Sequence, residues 1–111
     1  MHLPEIEGRS VYISGKITNN EQAALQFAKA HKDCIESGAA YVFNPMAAAV
    51  QVKRPGWMHD DHMRADIHEL TSGRIDVILQ IDGWRESGGA LLESAIADMC
   101  GIERIDWSES E

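Results

Sequence analysis

Apolar and polar positions alternate with two periods along this chain, and the changes between them mark its elements. Residues 10–14 (Ser-Val-Tyr-Ile-Ser) are a β-branched and aromatic run ending at Gly15, the pattern of a buried first strand. A helical period follows: Ala24, Phe27, Ala28, His31, Cys34 and Ile35 form one stripe. Thr18, Asn19 and Asn20 stand ready to cap it and Gly38 to end it, so a helix is predicted over about 20–37. Residues 40–43 read as a second strand, stopped by Asn44-Pro45. Residues 46–60 show no period and are expected to be a long loop, a kind of segment that is often functional. Residues 61–70 look helical, with Met63, Ile67 and Leu70 on one side. Residues 75–81 are the most apolar segment and the expected central strand, followed by a loop over 82–89. Residues 90–100 predict a last helix with Leu91, Leu92, Ala95, Ile96 and Met99 as its buried face and Gly101 as its stop. Residues 102–107 predict a short last strand, and the acidic tail 108–111 is expected to fray.

Strands alternating with helices imply parallel pairing. The expected class is α/β: a three-layer, Rossmann-like (flavodoxin-like) parallel sheet of about four strands with helices on both faces. At 111 residues this is one domain, 1–111, with a modest core and no room for a separate substrate domain.

Composition narrows the partners. Hydrophobic residues make up 44% and charged residues 25%, ordinary for a globular protein, and the formal charge of −8 repels a nucleic-acid polymer. A single phosphate can still be held by a few backbone N–H groups. Cys34 and Cys100 lie inside helical patterns rather than in ligand spacing, and read as reduced thiols. Residues 1–8 carry no apolar run resembling a signal peptide, and no stretch approaches a spanning helix, so no membrane partner and a cytoplasmic location are expected.

In open parallel sheets ligands bind outside the carboxyl ends of the strands, which selects loops 14–20, 44–60 and 82–89. Ser87-Gly88-Gly89 directly precedes an apolar helix. It reads equally as an anion cradle at a helix N-terminus or as an N-cap serine with two turn glycines. Glu93 lies near the start of that helix beside the apolar Leu92. By pattern alone a surface position at the edge of the stripe stands ahead of a buried functional role. Asp66, between His62 and His68, is a second candidate, and Asp76 reads as a structural acceptor at the far end of the central strand. The cluster His59-Asp60-Asp61-His62 is too loose for a zinc site, so no metal is expected. Trp57 and Trp84 sit in loops over the site, Trp84 being the better candidate for a ligand contact.

An ordered set of short motifs carries a resemblance. Val11-Tyr12-Ile13-Ser14-Gly15 with Ile17-Thr18 comes first, then Asn44-Pro45, then Met63-Arg64-x-Asp66. Gly83-Trp84-x-x-Ser87-x-Gly89-Ala90-x-x-Glu93 completes the set. Together these resemble the nucleoside 2-deoxyribosyltransferase-like superfamily, over roughly residues 9–101. Within it they look like a phage-associated domain family of unassigned activity and like the 2′-deoxynucleoside 5′-monophosphate N-glycosidases. The resemblance implies that Glu93 attacks C1′ of the sugar, that Asp66 contacts the sugar or base, and that Ser87 and Gly89 hold a 5′-phosphate; an acid is also needed to help the base leave, a step Asp66 is placed to assist. The resemblance also implies that Tyr12, Ser14 and Gly15 line the nucleotide site. A carboxylate suits this chemistry because it stabilises or traps an oxocarbenium-like centre.

Three readings follow: an N-glycosidase or deoxyribosyltransferase, a non-catalytic module that captures a nucleotide-derived small molecule such as an ADP-ribose-type signal, or an oligomeric structural protein. The first is preferred. It needs no cofactor, takes a nucleoside or nucleotide as its partner, and by family analogy works as a homo-oligomer.

Overall fold

The computed structural model describes residues 2–108; the end of the acidic tail, 109–111, lies outside the described residues. A turn of 3-10 helix (Pro4–Ile6) leads into β1 (Ser10–Ser14), α1 (Ala23–Glu36), β2 (Tyr41–Phe43), α2 (Ala48–Gln51) and α3 (His59–Leu70). Then come β3 (Val77–Ile81), a 3-10 turn (Trp84–Glu86), α4 (Gly88–Met99) and β4 (Glu103–Trp107). The four strands form one parallel sheet in the order β2-β1-β3-β4. The fold is therefore the expected Rossmann-like α/β sandwich, with the strand order of flavodoxin-like sheets.

Strand side chains alternate between the two faces. Val11, Ile13, Val77, Leu79 and Ile81 meet Phe27, Ala30 and Cys34 of α1 on one face, while Tyr12, Phe43 and Ile78 meet Leu70 of α3 and Ala97 of α4 on the other. β3 is buried along its whole length, as a central parallel strand should be. It starts two residues later than expected because Asp76 is used as a bracket: its carboxylate accepts from Ser10 N at 2.9 Å, and its carbonyl accepts from Glu103 N. This is the structural role expected of it. Gly38, at φ +82°, closes α1 as the sequence suggests.

Three expectations need correction. α1 buries Ala23, Phe27, Ala30 and Cys34, whereas Ala24, Ala28 and Ile35 face solvent, so its stripe is rotated from the predicted one. The long loop is partly helical, with α2 inside it, and α3 begins at His59. There Asp60 and Asp61 suit the helix dipole, and Asp61 accepts from Met58 N at 2.9 Å. The third concerns α4, whose buried residues are Ala90, Glu93, Ser94 and Ala97, while Leu91 and Leu92 (47% exposed each) and Met99 (86%) point outward. Small side chains let the helix axis approach the sheet closely, and packing followed size rather than apolarity. Among the described residues no helix is long and apolar enough to cross a membrane.

Candidate active site

The rotation of α4 brings Glu93 inward. Its carboxyl lies beneath the carboxyl end of β1, where Tyr12 and Ser14 share a strand face. The Tyr12 hydroxyl donates to Oε2 and the Ser14 hydroxyl donates to Oε1 at 2.7 Å. All three side chains are buried. Burial pushes the Glu93 carboxyl up to about 7; the two hydroxyls oppose that and nearby Asp66 adds to it. Burial and the Glu93 charge also push the Tyr12 phenol well above its ordinary range, so it remains a donor. The surface reading of Glu93, favoured by pattern alone, is overturned.

Glu93 opens onto a cavity of about 730 Å³, within the range of small-ligand sites. Its walls come from the three loops the sequence singled out. Ser14 ends β1 and Gly15 and Lys16 follow it, Pro45 and Met46 follow β2, and Ser87 precedes α4, which Gly88 and Gly89 open; α3 contributes His59, His62 and Asp66. Gly15 is required by packing, since a Cβ there would overlap the Ile81 side chain and lie 3.3 Å from Phe27. Ser87 is the N-cap of α4, its hydroxyl accepting from Ala90 N at 3.2 Å. It thus has the structural role while also lining the cavity. The first N–H groups of α4 have no carbonyl partner inside the helix, and glycine at 88 and 89 puts no side chain in front of them.

Asp66 is buried in the cavity wall, with Arg54 Nη2 2.9 Å from its Oδ1. Burial raises its carboxyl and the Arg54 guanidinium pulls it back. Arg54 is the main residue that sequence reading missed. It stands in a segment without periodicity, and nothing local marks its partner twelve residues on. Trp84 does not line the cavity; its ring lies against the Arg85 guanidinium at 4.5 Å. Tyr12 reaches the site through Glu93 rather than through the wall. Of the nine sequence-predicted residues, the structure gathers Glu93, Asp66, Ser14, Gly15, Ser87, Gly88 and Gly89 around one cavity, with Tyr12 behind Glu93. Among the described residues no group of three or more His, Cys, Asp or Glu side chains is placed to hold a metal ion.

A family model described as Domain of unknown function (DUF4406) matches residues 9–106, and the chain belongs to that family. No curated protein and no solved structure matches it.

Proposed function

We propose that this member of the DUF4406 family cleaves the N-glycosidic bond of a nucleoside or nucleoside 5′-monophosphate, with Glu93 as nucleophile. The observation that carries the reading is a buried glutamate held by two hydroxyls at the floor of a ligand-sized cavity, with a second acid, Asp66, in the same wall. A buried carboxyl poised near neutrality is costly for a fold and useful for chemistry.

In the reaction an ionised Glu93 oxygen bonds to C1′ as the C1′–N bond breaks. The bonding pair leaves on the base nitrogen, which takes a proton that Asp66 gives or relays from water. Water then attacks C1′ of the glycosyl ester and expels the Glu93 carboxylate, and its proton returns to the acid. With a second base in place of water the outcome is deoxyribosyl transfer. Tyr12 and Ser14 each occupy one carboxylate oxygen, leaving a lone pair on each for attack. A 5′-phosphate would lie against the N–H groups of Gly88 and Gly89.

The exposed face of α4 supports a homo-oligomer. A groove beside Leu92 and Ile67 shares His59, Met63, Gly88 and Gly89 with the cavity, so a second copy seated there would wall the mouth of the site. Asp60 and Arg64 in the same groove carry opposite charges, which a two-fold arrangement of two copies would bring into register. The free thiols Cys34 and Cys100 suit a reducing cytoplasm.

The test is a panel. The protein and Glu93→Gln are incubated with deoxy- and ribonucleosides, their 5′-monophosphates and NAD, and free base is followed by chromatography and mass spectrometry. Release by the parent and not the variant is expected. Tight binding of intact ligand without release would transfer the site to the capture module.

A further inference from the structure

Residues 52–58 form the outer part of the connection between α2 and α3. Val52 is 75% exposed and Met58 72%, and every residue of the stretch is exposed except Arg54. Its backbone hydrogen bonds are local: Val52 N to Ala48 O, Lys53 N to Val50 O, Arg54 N to Gln51 O and Trp57 N to Arg54 O, with Met58 N donating to Asp61 Oδ2 and Met58 O accepting from His62 N at the start of α3. The stretch's two large aliphatic side chains, Val52 and Met58, therefore anchor nothing. What enters the protein is the Arg54 side chain, only 7% exposed, which meets Asp66 Oδ1 at 2.9 Å and His62 Nδ1 at 3.1 Å. Arg54 also lies 4.9 Å from the Trp57 ring, which packs edge-on against His62. Both Arg54 and Asp66 line the cavity.

We infer that Arg54 is a positioning residue: its ion pair with Asp66 is the latch that folds residues 52–58 onto α3 and completes the cavity wall. The guanidinium does this in two ways. Among the described residues it is the side chain of the stretch that is buried, beside the exposed Met58 N to Asp61 Oδ2 bond at the far end, and by engaging Oδ1 it leaves Oδ2 of Asp66 as the oxygen available to a ligand hydroxyl or amine. A planar fork can hold Asp66 and His62 together, which a lysine ammonium cannot do in the same geometry. Removing either partner leaves the other buried and uncompensated. The consequence for ligand binding rests on the reading of the cavity as a nucleotide site; the latch itself does not.

Limited trypsin digestion tests the latch without reference to activity. Cleavage after Lys53, inside the stretch, is compared with cleavage after Lys32 in α1, which requires the domain to unfold. In Arg54→Met and in Asp66→Asn, the latter leaving the cleaved bond unchanged, the Lys53-to-Lys32 ratio is expected to rise about tenfold or more, as breaking a buried ion pair by removing one partner implies. The double variant should be no faster than either single variant, and Arg54→Lys should fall between. An unchanged ratio, or increases that multiply in the double variant, would overturn the latch. On a substrate found in the panel, Arg54→Met should raise KM more than it lowers kcat, whereas Glu93→Gln should abolish kcat; equal KM values would overturn the ligand role. If the ratio behaves as expected while the parent protein releases no base, the latch stands and the glycosidase reading falls.

Discussion

Replacing Glu93 with glutamine is expected to stabilise the protein in alkali and leave it nearly unchanged in acid. The carboxyl titrates near 4.5 when exposed and about 7 in the fold. A raised value means that the folded chain holds this proton more tightly than the unfolded chain. The stabilising contribution is therefore complete below about 4.5 and lost as pH rises through about 7. The gap corresponds to about 3 kcal/mol, an order-of-magnitude figure for a group that is 7% exposed. Glutamine has nearly the same shape and no charge. Its carbonyl can accept from Tyr12 and its amide can donate to Ser14, whose hydroxyl rotates to suit. Urea unfolding of both proteins from pH 4.5 to about pH 8.5 gives the difference directly, because titrations common to both chains cancel in it. The variant's advantage should grow from near zero to about 3 kcal/mol, or roughly 13 °C in Tm for a domain of this size. A difference that is flat with pH, or a variant less stable than the parent in alkali, would refute the argument that Glu93 is a buried carboxyl held at a cost.

Other outcomes follow from the same geometry. On any substrate found in the panel, kcat/KM should rise with pH through about 7 as Glu93 ionises, and Tyr12→Phe, which removes a donor to the carboxylate, should move that limb to higher pH. Gly15→Ala should cost about 1–3 kcal/mol in urea unfolding, because the new methyl overlaps Ile81 in a packed layer. Ser87→Ala should cost about 1 kcal/mol through loss of the α4 cap, checked by the same unfolding curve. Leu92→Lys should shift sedimentation toward the monomer while leaving the far-UV circular dichroism unchanged, since Leu92 is half exposed in the single chain.

What the sequence by itself determined was the order of the main strands and helices and the edge of the sheet where the cavity opens. β1 and β3 could be read from their composition because a strand buried on both faces is mostly apolar, and Gly38 and Gly101 mark helix ends because both adopt positive φ. The serine and glycines before residue 90 marked where α4 begins to within two residues, its first turn being Gly88 and Gly89 rather than loop. Which way that helix faces was decided by tertiary packing. Periodicity reports where apolar residues recur, but Ala90, Ser94 and Ala97 bring the helix nearer to the sheet than Leu91 and Leu92 would, and this carries Glu93 beneath β1. The same holds for partners far apart in the chain. Tyr12 and Glu93 meet across 81 residues, and Arg54 meets Asp66 from a segment without periodicity. Such contacts leave no local signature, because the burial that makes them strong exists only once the sheet and its helices have closed around them.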